Sequence, residues 1–269
     1  MYLVAITRWG PGFAEQLPEL AERLGVFPYD LRMRLNGPLP VIVARVTEAA
    51  EASALMATLR EWGHGAVGCD LAKVPASATM HRVREFDFAG STLVCDDPMG
   101  VRAEVDANEV YALIHALVLS DHQQVEERTS KKFSATRAVL TGGMAMTRKS
   151  TTRSRVTDSS AEERIYLIRK SFQAPMIFAQ HQLRYTGLGA AMGHSSHESF
   201  AALVAMLRAF SPAAYYDEQL RLTRRKATLE GVSVAKGGKT KTSSTMSSNA
   251  SGVDLAAYLI LVAHARGQL

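Results

Sequence analysis

Cysteine is scarce in this chain of 269 residues, with Cys69 and Cys95 its only two. A pair cannot build a disulfide framework, nor by itself a four-ligand structural zinc site. Long apolar runs are also missing, since no segment reaches the ~18–20 uninterrupted residues that span a bilayer. The opening MYLVAITRW has no basic segment before its apolar run, which is too short for a signal-peptide core. A cytoplasmic address is the expectation. Several enzyme signatures are absent too: no G-x-x-x-x-G-K-[ST] phosphate loop, no H-E-x-x-H zinc pair and no C-x-x-C. What is present suits a globular protein. Hydrophobic residues make up 47% and charged residues 21%, which excludes full-length disorder and allows one large domain or two smaller ones.

Acidic residues are missing from one stretch in particular. Between Arg128 and Arg155 stand eight cations and no acid: Arg128, Lys131, Lys132, Arg137, Arg148, Lys149, Arg153 and Arg155. The net charge of +5 is therefore uneven: residues 76–125 carry −5, whereas 126–164 carry +4. Such a strip can bind the phosphates of nucleic acid or an anionic lipid surface. Thr147, Ser150, Thr151, Thr152 and Ser154 would add hydroxyl contacts, but Phe133 is its only aromatic, so base stacking is poorly supported. The bland alternative is a solvated loop, or a patch paired with the acidic 76–125 segment.

Hydropathy patterning predicts an α+β protein. Residues 1–75 read as β-α-α-β-α-β. Tyr2–Thr7 is a buried strand, and Phe13, Leu17, Leu20, Ala21 and Leu24 follow helical spacing up to Gly25. Pro18 suggests a start near Leu17 or a kink. Pro28 opens a second helix with Leu31 and Leu35. Val41–Val46 is the next strand, Thr47 a cap for a helix burying Ala52, Leu55, Met56 and Leu59, and Ala66–Leu71 the third strand. That order, with Leu24-Gly25 before the short helix and Trp62-Gly63-His64-Gly65 before the last strand, resembles the C-terminal domain of the bacterial ribosomal stalk protein. The likeness covers about a quarter of the chain and implies its fold. In that family lysines on the helical face engage translation factors; here Arg32 and Arg34 stand at the matching helix without a lysine run, so factor binding is not implied.

Residues 81–222 read as a mostly antiparallel β domain. Short strands are expected around Val83–Phe88, Ser91–Cys95, Val101–Val105, Val110–Val118, an edge strand Gln123–Phe133, the pair Arg164–Arg169 and Pro175–Ala179, and Gln182–Thr186. Ser134–Leu140 reads as a helical turn. Ser195 and Glu198 have capping-box spacing before a helix carrying Phe200, Leu203, Val204, Leu207 and Phe210. Several strands closed by one helix resemble a pleckstrin-homology-like barrel, with the basic segment as an insertion. Gly231–Gly252 reads as a flexible linker. Residues 253–265 form a terminal helix, apolar nearly all round, with Ser251 and Asp254 as its capping pair. Such a helix needs a surface to bury against: a partner's groove, with Leu255, Tyr258, Leu259 and Val262 as docking candidates, or its own N-terminal domain.

Convergent chemistry is harder to find. Gly193-His194-Ser195-Ser196-His197 approaches a nucleophile elbow, but His197 replaces the second glycine, and Ser195 already serves as a cap. His181, His194, His197 and Glu198 could hold a metal only if the fold gathers them; as surface histidines near a cap they need no such role. Gly187–Gly193 is glycine-rich without fitting a dinucleotide fingerprint, and Cys69 and Cys95 read as small core residues. No catalytic residue, cofactor or metal is therefore expected. The leading expectation is a non-catalytic protein–protein interaction or self-association module. Anion binding through residues 128–155 is the alternative, and a hydrolase around Ser195 and His197 a second one.

Overall fold

The computed structural model describes residues 1–133, 147–223, 228–237 and 240–269, with side chains described outside 129–150 and 224–242. It divides into two units: Met1–Val118, Glu162–Arg225 and Ala250–Leu269 form the first, Leu119–Ala161 and Lys226–Asn249 the second. The first unit thus takes in residues on both sides of the expected 1–75 and 81–222 boundary.

The first unit begins with the expected order. β1 (Tyr2–Arg8) is followed by α1 (Phe13–Arg23), α2 (Pro28–Leu35), β2 (Val41–Val46), α3 (Ala49–Glu61) and β3 (Gly65–Asp70). The sheet order is β2-β1-β3, with β1 antiparallel to both neighbours. α1 starts at Phe13 and carries Pro18 inside, so the helix does not begin near Leu17. The N-cap of α3 is Glu48, which leaves Thr47 one residue too early to cap. Leu3, Val4, Ala5 and Ile6 are all fully buried. Alternate residues of a strand face opposite sides. Val4 and Ile6 pack with Leu17, Leu20 and Leu59 of the helices, while Leu3 and Ala5 pack with Leu259 and Ala263 near the chain end.

That second face explains the terminal helix. α6 (Ala250–Ala265) is numbered after α4 (Ser196–Phe210) and the short α5 (Gln219–Leu222). Leu259 and Ala263 meet β1 and β3, while Val253, Ala256, Ala257 and Ile260 pack against a second sheet. The helix is apolar all round because it is a layer between two sheets. Each fully buried Leu, Ile or Val there contributes about 1.5–3 kcal/mol by leaving water. The tail after it is strapped to the small sheet: Thr7 Oγ1 donates to the Gln268 carbonyl at 2.5 Å, and an Arg8 guanidinium N–H to the Leu269 carbonyl at 2.8 Å. Gly65 lies under that strap, where a Cβ would collide with the Gln268 carbonyl oxygen.

The second sheet of this unit uses β4 (His81–Val83), β8 (Val110–Phe133), β9 (Thr147–Arg169), β10 (Met176–Ala179) and β11 (Tyr215–Asp217), in the order β11-β8-β9-β10-β4. β10 pairs parallel with β4, β11 parallel with β8, and β9 antiparallel with β10, so the sheet is mixed. β5 (Glu85–Ala89), β6 (Thr92–Asp96) and β7 (Arg102–Asp106) form a separate antiparallel sheet. Among the described residues these strands do not close into a barrel, which corrects the pleckstrin-homology-like expectation. Two shorter expectations also change: 182–186 is turn and 3₁₀ structure, and Gln123–Phe133 is the inner continuation of β8. The helical turn expected at Ser134–Leu140 lies outside the described residues. Phe200, Leu203, Val204 and Leu207 of α4 cover one face of the mixed sheet, as their spacing predicts.

The second unit contains the outer parts of β8 and β9 with β12 (Thr228–Gly237) and β13 (Thr240–Ser248), in the order β12-β13-β8-β9. The expected linker 231–252 is therefore a hairpin and the start of α6. The Ser/Thr-rich β13 pairs antiparallel with β8 from Thr240↔Arg128 to Ser248↔Ser120. A low-hydrophobicity strand gains order here from ladder hydrogen bonds, which composition does not report.

Ser251 and Asp254 do not cap α6, which begins at Ala250. Asp254 is buried instead and accepts from Ser77 N at 2.8 Å, Ser77 Oγ at 2.6 Å and Tyr166 Oη at 2.7 Å. Removing the carboxylate leaves three buried donors unsatisfied. Asp254→Ala should cost about 3 kcal/mol and lower Tm by roughly 6–12 °C, while Tyr166→Phe should cost about 1 kcal/mol. Thermal denaturation ranks the two, and equal small losses would show that this anchor contributes little.

Candidate functional site

The docking candidates of the terminal helix are not on a free surface. Leu259 is 1% exposed, and Leu255, Tyr258 and Val262 are half-buried in the cluster formed with β1 and β3. Of the two places for this helix to bury, the structure uses its own chain.

Ser195 and His197 both stand at the start of α4. Ser195 Oγ accepts from Glu198 N at 3.1 Å and caps α4. Glu198 Oε2 takes the His194 N–H at 2.8 Å, so the box is completed one residue early. The His181 backbone N–H donates to Glu162 Oε1 at 3.3 Å, but among the described residues the imidazoles of His181 and His194 meet no carboxylate or second histidine, and no group of three metal-capable side chains occurs. Gly187 packs against the Phe86 carbonyl and Gly193 against Glu198, so these glycines relieve crowding. Cys69 and Cys95 are buried free thiols; burial pushes them up to about 11 and about 12, where they carry no thiolate at neutral pH.

One polar cluster emerges that spacing does not suggest. His115 Nε2 lies 2.7 Å from Glu163 Oε2, its Nδ1 lies 3.2 Å from Tyr216 Oη, and Glu163 Oε1 lies 3.6 Å from His197 Nδ1. These residues come from β8, β9, β11 and α4, far apart in the chain. The carboxylate only accepts, so His115 donates through Nε2 and its Nδ1 accepts the Tyr216 hydroxyl proton. Burial, with Glu218 nearby, pushes the Tyr216 phenol up, so it keeps its proton. The geometry describes a proton-holding clamp across four elements. The signal in the sequence was a histidine at the centre of the apolar run Val110–Val118, a position that demands a buried partner.

The basic stretch belongs wholly to the second unit. Across Leu119–Ala161 and Lys226–Asn249 the chain carries twelve lysines and arginines against five acids, a net +7, while the remainder carries nineteen against twenty-one, or −2. Arg153 donates to Glu127, and Ser160 Oγ donates to the Ser120 carbonyl at 3.5 Å, so β8 and β9 run antiparallel here. Arg153 is thus partly neutralised. Arg128 and Arg155 are exposed and have no ion pair among the described residues. Register places Lys241 opposite Glu127 and Thr240 opposite Arg128. Every residue of β9 from Thr151 to Ala161 is exposed, so both strand faces are open. Arg137 lies outside the described residues, as do the side chains of Lys131, Lys132, Arg148 and Lys149. Sequence runs alone missed Lys236 and Lys241, which β12 and β13 bring from another part of the chain into the same unit.

Comparison of the chain with family models, curated proteins and solved structures gives no match.

His115 is held neutral because burial lowers its pKa, against the opposing pull of Glu163. The unfolded chain takes up a proton near pH 6.5 that the folded chain refuses. Stability is therefore full above that pH and falls as pH drops below it. His64 has the same sign, also by burial; its Nδ1 accepts the Gly10 N–H at 2.7 Å, and protonation would break that bond. His115→Gln should flatten part of the loss between about pH 7 and 5, as followed by denaturant unfolding. Equal slopes in wild type and His115→Gln would discount the clamp.

Proposed function

We propose that this chain is a non-catalytic binding protein whose four-stranded basic unit engages the phosphate backbone of a double-stranded nucleic acid. The observation that carries the reading is the concentration of charge: a net +7 in the sequence of a unit whose β9 strand is open on both faces from Thr151 to Ala161. Cations without internal partners attract a polyanion and release its counterions, which gives affinity without base reading. Exposed hydroxyls at Thr151, Thr152, Ser154 and Thr157 supply neutral donors for the same phosphates.

Two features favour a duplex over other anions. The unit's sole aromatic in sequence is Phe133, which leaves little to stack on unpaired bases. Its exposed large hydrophobics among the described side chains are Val156 and Met246, too few to anchor in lipid. The anion-binding reading thereby replaces the terminal-helix docking reading as the better supported one.

Fluorescence anisotropy with a labelled duplex of about 20 base pairs tests it: affinity should fall steeply with salt and differ little between sequences. Arg128→Glu with Arg155→Glu should weaken binding at low salt roughly tenfold or more and make the log–log salt slope shallower by about 2. Both positions are exposed, so the fold should persist. Absence of duplex binding at low salt, or a double variant that binds as wild type does, would reject the proposal.

A further inference from the structure

A cleft in the first unit joins three elements: the segment after β3, the turn between β9 and β10, and the last turns of α6. Its volume is about 450 Å³, inside the range that holds small organic ligands. Ile168, Pro175, Tyr258 and Leu261 make apolar walls. No aspartate or glutamate lines it, whereas Lys73 and Arg266 both do. The two cations are exposed, and neither makes an ion pair among the described residues.

The wall at the β9–β10 turn has a second distinguishing feature. Phe172 has φ 52°, the only positive value at a non-glycine residue among those described. A bulky L residue rarely adopts that conformation, and such strain gathers where a chain clamps a ligand. Its ring lies 5.3 Å from that of Tyr111, yet the residue remains 59% exposed beside the cleft. A small recess beside it shares Pro75, Ile168, Pro175, Tyr258 and Leu261 and reaches Met80, with Tyr166 and Asp254 in its wall, where Asp254 is already bonded to Tyr166 and to Ser77. Apolar cleft walls beneath a cationic rim match one ligand class.

We infer that this cleft binds a small amphipathic carboxylate, an acyl or aryl acid whose apolar body enters between Ile168 and Leu261. Lys73 and Arg266 hold its carboxylate at the rim. This site is independent of duplex binding, because its residues all belong to the first unit.

Isothermal titration of the full chain with decanoate and with 1-decanol separates the two halves of the recognition. Decanoate should bind at one site per chain, at least tenfold tighter than decanol. Lys73→Gln with Arg266→Gln should remove most of that difference while leaving decanol binding unchanged. Ala265→Phe, at an exposed position lining the cleft, should block both ligands while circular dichroism remains that of the wild type. No saturable decanoate binding, equal affinity for decanoate and decanol, or unaltered binding in Ala265→Phe would overturn the inference.

Discussion

Burial of one helix on both of its sides governs the first unit. α6 gives Leu259 and Ala263 to the small sheet and Val253, Ala256 and Ile260 to the mixed one. Leu220 of α5 joins the same layer on the mixed-sheet side. The continuous burial of Leu3 to Ile6 follows directly, since β1 has helices on one face and α6 on the other. A strand sealed on both sides reads as a solid apolar run, as a parallel central strand would, although β1 is antiparallel to both neighbours.

Among the described residues the buried polar side chains are bonded, with His81 Nε2 and Arg221 Nε the exceptions. Asp254 collects a backbone N–H and two hydroxyls from Ser77 and Tyr166. His115 and Glu163 form the other polar link, on the opposite face of β8, where the ring also lies 5.8 Å from Phe200. A buried charge without such partners would be strongly destabilising, so each pair fixes the register of the elements it joins. Specificity of packing and the positions of these polar groups are the same fact seen from two sides.

The second unit follows different physics. It has little apolar area to bury, and its order comes from strand pairing between segments more than a hundred residues apart, such as Ser243 with Val125. Its positive charge is spread along an open sheet, where solvent and salt compete for every cation. That contrast separates a part of the chain built to exclude water from one suited to exchange water for phosphate.

Much of the architecture was legible locally. The 3.6-residue spacing of Leu17, Leu20 and Ala21, the proline at the start of α2 and the cap at Ser195 all report short-range preferences, and the helices lie there. The eight cations of residues 128–155 were visible by inspection. Residues 231–252 were misread because Ser, Thr and Gly composition describes solvation, whereas β12 and β13 depend on a partner strand far along the chain. The surroundings of α6 were open for the same reason: periodicity says that a helix must bury itself and does not say against what. Sequence by itself determined which segments are helical, which are apolar and where the charge lies, since these are properties of neighbours along the backbone. Only the tertiary structure decided that Asp254 meets Ser77, that His115 meets Glu163 and that Lys73 and Arg266 line one cleft, since these meetings depend on how distant segments pack.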